Sequence, residues 1–406
     1  MPGAKQESAR AGGSKPFDVE AAIAAVEAVV GNATRPVPLH EPYFGGKEWD
    51  YVKETLDSGW VSSVGKFVDD FERQLAKHCE VSHAVATVNG TAALHAALLL
   101  VGVRPGDEVV LPALTFIATA NAVSYCGAVP HFCDSDARSL GIDPEKLDRD
   151  LAETAEIVQG VCRNKRTGRR IAALVPMHTF GHPVDMDSLV ELAARWHIPI
   201  VEDAAEALGS TYKGRHVGSH GAIATLSFNG NKPVTTGGGG ALLINDPAMA
   251  RAAKHLTTTA KQPHAWAFIH DQVGYNYRLP NINAALGCAQ LEQLDVFLAA
   301  KRKLQGRYQN AFRNVAGASI FTDANYATSN YWLITMMLDE PSEQARDAFL
   351  QAAHARGLQC RPVWTGMHRL PMYQNCPRMD LSQAEALEAR IVNLPSSMSL
   401  EFGRSA

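Results

Sequence analysis

The sequence predicts an α/β fold: a mostly parallel sheet with helices on both faces, joined to a smaller C-terminal α/β domain. Three observations predict it. Short β-branched runs alternate with helical patterns from about residue 47 to 245. The chain has 406 residues, more than one core usually holds. Beyond residue 250 the rhythm changes to long helical patterns followed by two late strand candidates.

In order along the chain, FDVEAAIAAVEAVVG (17–31) has helical spacing and ends in Gly31, a C-cap glycine. It is an added N-terminal helix behind a polar tail, MPGAKQESARAGGSKP, expected to be disordered. Helices are expected at 47–57 and 67–79, then the strand AVATV (84–88) leading into a helix at NGTAALHAALLLVGV. Next come EVVLP (108–112), a helix near 116–126, AVPHFC (128–133), IAALVPM (171–177), a helix at 185–196 and IPIVED (198–203). AIATLSF (222–228) and ALLIN (241–245) follow. RAAKHLTT and NINAALGCAQLEQLDVFLAAKRKLQGRYQNAFRNV are helical, and YWLITMML (331–338) and LQCRPVW (358–364) are strand candidates. The expected division is 1–36 for tail and first helix, 37–250 for a large domain and 251–406 for a small one.

Composition narrows the function. Hydrophobic residues make up 46% and charged residues 20%, with a net charge of −4 spread along the chain. That pattern carries neither a nucleic-acid footprint nor a basic membrane patch. The longest apolar run, Ala92 to Val103, is too short to span a bilayer, and no signal peptide is expected. The seven cysteines form no CxxC pair, which suits free thiols in a cytoplasm and argues against a zinc site.

In a parallel sheet, ligands bind beyond the carboxyl ends of the strands. NGTAAL opens a helix after a strand; its free N–H groups favour an anion, though an ordinary N-cap looks the same. Asp203 closes a buried strand, where a carboxylate also serves as a helix cap. LSFNGNKPVTTGGGG offers Ser227 and Lys232 before four glycines that let backbone approach a ligand or simply turn a hairpin into ALLIN. Pro233 and the glycine spacing exclude a P-loop. Together, an anion cradle, the aromatic Phe116, an acid and a lysine match the needs of pyridoxal 5'-phosphate.

At this point the chain resembles the DegT/DnrJ/EryC1/StrS family of sugar-nucleotide aminotransferases, which are fold-type I pyridoxal-phosphate enzymes. The resemblance rests on VNGTAALHAAL, GDEVVLPALTFIATANAV, MHTFGHPVDMD, VEDAAEALGSTYKGRHVGS, LSFNGNKPVTTGGGG, GYNYRLPNINAALG and NLPSS, in that order across about 37–397. It implies that Lys232 holds the cofactor covalently and that Asp203 partners the pyridine nitrogen. It implies that Thr91, Ala92 and Ser227 hold the phosphate and that Phe116 lies on the ring. Glu206 stands where many relatives carry Gln or His near the phenolic oxygen. Asn276 and Arg278 match a segment that reaches into the neighbouring subunit, so a homodimer with shared sites is implied, with Asn276 at the phosphate.

Glutamate is the implied amino donor and a nucleotide-linked keto sugar the acceptor; the freed Lys232 amine moves the proton. The local motifs and the extra N-terminal helix resemble the subgroup acting on UDP-4-keto-6-deoxy-N-acetylglucosamine on routes to bacillosamine and legionaminic acid. The GDP-perosamine synthases share much of the pattern and are the alternative, ahead of a non-catalytic cofactor-binding regulator. Trp60, His178, Trp364 and His368, together with Arg278, are candidate substrate contacts; burial in the core or at the dimer contact explains the first four at least as well. Many relatives continue past LPSS with another helix, whereas this chain stops at EFGRSA.

Overall fold

The structure is a computed structural model that describes residues 16–403. The expected N-terminal tail up to Lys15 lies outside the described residues.

Local rules set the first elements. Helix α1 (Val19–Val30) starts at Asp18, whose carboxylate accepts the Ala21 N–H at 3.0 Å, and stops at Gly31 with φ +55°. Helices α2 (Glu48–Ser58) and α3 (Lys66–His78) follow, then β1 (His83–Thr87), α4 (Gly90–Leu100), β2 (Glu108–Pro112), α5 (Ile117–Tyr125) and β3 (Val129–Cys133). The next stretch, for which the sequence pattern predicts nothing, holds α6 (Pro144–Thr154) and a hairpin of β4 (Ala155–Val158) and β5 (Val161–Asn164). Asp143 caps α6 and Pro144 opens it.

Then come β6 (Ile171–Leu174), α7 (Met186–Arg195), β7 (Val201–Asp203), the short hairpin β8 (Thr211–Tyr212) and β9 (Arg215–His216), β10 (Ile223–Ser227), β11 (Gly240–Ile244) and α8 (Pro247–Thr257). Strands β3, β2 and β6 pair in parallel. Bridges Leu174–Ile200 and Met177–Asp203 carry the sheet on to β7, which pairs in parallel with β10. Antiparallel β11 lies between β10 and β1. The sheet is therefore mostly parallel, and alternate residues of β2 enter opposite cores: Val109 and Leu111 one, Val110 the other.

The C-terminal part contains α9 (Asn281–Leu291), α10 (Leu294–Ala311), β12 (Ala318–Ile320), β13 (Ala327–Thr328), β14 (Ile334–Leu338), α11 (Glu343–Ala355), β15 (Arg361–Pro362), α12 (Ser382–Glu388) and β16 (Ile391–Leu394). Its antiparallel sheet, in the order β12-β14-β16-β15, shares a third core with α1, α10 and α11. The cores divide the chain differently from the break expected at 251. The apolar face of α9 packs on α3, where a Cβ on Gly287 would lie 2.5 Å from the Phe71 ring. Helix α8 also joins the large sheet, while Ile23 and Val26 of α1 belong to the C-terminal core. Among the described residues no helix is long and apolar enough to cross a membrane.

Candidate active site

The carboxyl ends of β1, β7 and β10 open on one cavity of about 580 Å³. Thr91, Phe116, Asp203, Glu206, Ser227 and Lys232 all line it. Segments far away in sequence close it: Leu39, Phe180, Trp332, Arg361, Trp364 and Asn393.

Strand β7 ends in two carboxylates that face opposite ways, because successive side chains alternate across a sheet. Asp203 turns to the cavity. Its Oδ2 accepts the Thr119 hydroxyl at 2.7 Å and its Oδ1 the Ala205 N–H at 3.2 Å. Burial pushes this carboxyl above its ordinary range, against the pull of those two donors. Thr119 lies 3.1 Å from Thr115, one helical turn away at the start of α5.

Lys232 sits in the loop between antiparallel β10 and β11, so the hairpin reading and the site reading both describe this segment. A tight turn from the Lys232 N–H to the Asn229 carbonyl, 3.0 Å, points the side chain inward. Its Nζ lies 3.2 Å from Glu206 Oε1 and 3.8 Å above the Trp332 ring. Glu206 Oε2 accepts the Phe180 N–H at 2.8 Å. Burial pushes the Glu206 carboxyl up, while the Lys232 charge opposes it. The aromatic wall runs from Phe116 to Trp364 (6.0 Å between centroids) and on to Phe180 (5.0 Å).

The start of α4 is where the sequence leads one to expect an anion cradle. Ala92 does not line the cavity, and its N–H is taken by the Asn89 side chain at 2.7 Å. Gly90 and Thr91 are left facing the cavity beside Ser227. A Cβ on Gly90 would lie 2.9 Å from Ser227 Cβ, and one on Gly240 would lie 2.5 Å from the Asn89 carbonyl. Gly240 therefore serves packing against this turn, Gly237 takes φ +77°, and none of the four glycines lines the cavity.

Four expected substrate contacts lie elsewhere in the single chain. His178 is fully buried behind β7, with Nε2 3.2 Å from Glu202 and Nδ1 accepting the Val184 N–H. Trp60 is 59% exposed on an outer loop. His368 bonds Glu385 at 3.1 Å in a separate open cleft. Arg278 and Asn276 line another hollow with Lys254 and Lys261. Of the aromatic candidates, Trp364 does line the cavity. The sequence reading missed Thr119, although its four-residue spacing from Thr115 is a signal. Trp332 and Asn393 also line the cavity with no local signal in the sequence, whereas Asn231 falls within the LSFNGNK motif.

A family model described as the DegT/DnrJ/EryC1/StrS aminotransferase family matches residues 42–404. The chain is 40% identical over 369 residues to a GDP-perosamine synthase of Caulobacter vibrioides, covering 90% of this chain and 94% of that protein. It is 36% identical over 364 residues to a GDP-perosamine synthase of Escherichia coli O157:H7, with 90% and 94% covered. Among solved structures, the aminotransferase TlmJ from Streptoalloteichus hindustanus superposes with a TM-score of 0.80 at 29% identity, over 89% of this chain and 93% of that one.

Proposed function

The chain belongs to the DegT/DnrJ/EryC1/StrS aminotransferase family of pyridoxal-phosphate enzymes, and from that premise we propose that it moves an amino group from glutamate to C4 of a GDP-linked 4-keto-6-deoxy hexose. One observation carries the chemistry: the Lys232 amine and the Asp203 carboxylate, from neighbouring strand ends, face the same cavity. The GDP link draws its support from two relatives of matching length, both GDP-perosamine synthases. They favour it over the UDP-linked substrate that the local motifs suggest.

The residues fit the cofactor. Asp203 is a buried carboxylate met by one hydroxyl and one N–H; a positive charge beside it relieves the strain that burial puts on its ionised form. The start of α4, with the Thr91 and Ser227 hydroxyls, suits a phosphate. Pyridoxal phosphate, when bound, supplies a reactive carbonyl carbon and an electron-withdrawing ring on which an amino group is held between donor and acceptor. Asp203 holds the proton at the ring nitrogen. The Lys232 Nζ takes the proton from the donor's α-carbon and returns it, needing no second base. Glu206 and the Trp332 face hold that amine at the cavity. Phe116, with Trp364 beside it at 6.0 Å, would lie against the cofactor ring. Asn276 and Arg278, which do not line their own chain's cavity, act in the site of a second copy.

Cofactor-loaded protein supplied with glutamate and GDP-4-keto-6-deoxy hexose should release 2-oxoglutarate and a sugar carrying one amine. Lys232→Ala should abolish both the release and the visible absorption band. Turnover of the UDP-linked sugar alone would move the assignment to the other subgroup, and turnover of neither would sink it.

A further inference from the structure

Helix α10 sends one lysine into the interior. Lys301 is only 2% exposed. Its Nζ donates to two backbone carbonyls, Trp332 O at 2.7 Å and Ser396 O, rather than to a carboxylate. Burial holds this amine well below its ordinary range. An apolar side chain of similar length would fill the space without that desolvation cost, so packing alone does not account for a lysine here.

The two carbonyls belong to segments that reach the cavity. The Trp332 ring lies under the Lys232 Nζ, and its Nε1 donates to the Asn231 carbonyl at 2.7 Å, one residue before Lys232. The Trp332 N–H donates to Asn330 Oδ1 at 2.8 Å, and the Asn330 amide nitrogen donates to the Glu206 and Leu208 carbonyls at 2.9 Å each. Tyr331, between them, has φ +50°, a conformation that needs support from outside the loop. On the other side, the Ser396 N–H donates to the carbonyl of Leu39, a cavity residue, at 2.6 Å. Ser396 Oγ accepts the Ile334 N–H at 2.8 Å. Lys301 thus ties α10 to the two chain segments that flank the paired strands β14 and β16.

We propose that Lys301 is a positioning residue for Lys232: by holding the Trp332 carbonyl it seats the indole against the Lys232 amine and the Asn231 carbonyl. The proposal rests on Lys232 being the reactive amine. Its test reads that amine directly, in protein free of cofactor and sugar, so its failure is separable from failure of the transferase assignment. Reductive methylation with formaldehyde and cyanoborohydride, mapped by peptide mass, gives the labelling rate of Lys232 relative to exposed Lys53. Loss of the aromatic face in Trp332→Leu should raise the Lys232 rate roughly threefold or more, because the indole face 3.8 Å from the Nζ holds the amine and shields it from reagent. Lys301→Met should raise it in the same direction, and the double variant should match Trp332→Leu alone. If Lys301→Met does not fold, Lys301→Gln, which keeps one donor, replaces it in the same comparison. A Lys301 variant that melts earlier yet labels Lys232 at the wild-type rate overturns the proposal. So does strict additivity of the two substitutions.

Discussion

Glu202 and Asp203 are adjacent residues with opposite electrostatic surroundings. Burial alone would raise the Glu202 carboxyl, but the His178 bond and charge and the N–H of Gly221 bring it down to about 2. N–H groups of Gly218 and His220 complete its shell at 2.7 Å each. Its folded value lies below the ordinary 4.5, so the stability it contributes is present above pH 4.5 and is lost as pH falls through about 2. Glu202→Gln should therefore lose about 3 kcal/mol at neutral pH. It should also lose less on acidification than the wild type, as urea denaturation at pH 7 and pH 3 would read. Asp203 has the reverse sign. Its raised folded value makes the protonated form the comfortable one, so it destabilises cofactor-free protein once pH rises past the ordinary carboxylate range. Asp203→Asn should melt about 2–4 °C higher without cofactor and yet fail to retain pyridoxal phosphate through gel filtration. An unchanged melting point with normal retention would contradict that assignment.

At the scale of elements, the loop between β10 and β11 and the turn into α4 form one unit. Gly240 sits against the Asn89 carbonyl with no room for a methyl group. Gly240→Ala should cost about 1–3 kcal/mol as an overpacking change and weaken cofactor retention at the same time, because the Thr91 turn must shift. Thermal melts and cofactor titration on one variant check both effects. These elements were legible in the sequence, since strand-end residues such as Asp203 and Ser227 follow from local pattern and sheet topology. Trp332, Arg361 and Asn393 were not legible: they enter from the C-terminal sheet, and no spacing signals a contact across more than a hundred residues. His178 and His368 show the converse, since their residue type suggests chemistry that their carboxylate partners use up in packing.

At the scale of the whole molecule, the cavity lies where the large sheet meets the C-terminal sheet, and one chain supplies every lining residue described. Asn276 and Arg278 stand outside it, in a hollow with two lysines, and the proposed homodimer gives them a site to complete. Mixing inactive Lys232→Ala and Asn276→Asp chains should then restore about a quarter of wild-type activity through heterodimers with one intact site. No recovery after reassociation would contradict a site shared between two chains. The account as a whole depends on which side chain carries the cofactor. Borohydride reduction of cofactor-loaded protein, followed by peptide mapping, should leave the reduced pyridoxyl phosphate on the peptide containing Lys232 and on no other; an unmodified Lys232 peptide in fully loaded protein would contradict it.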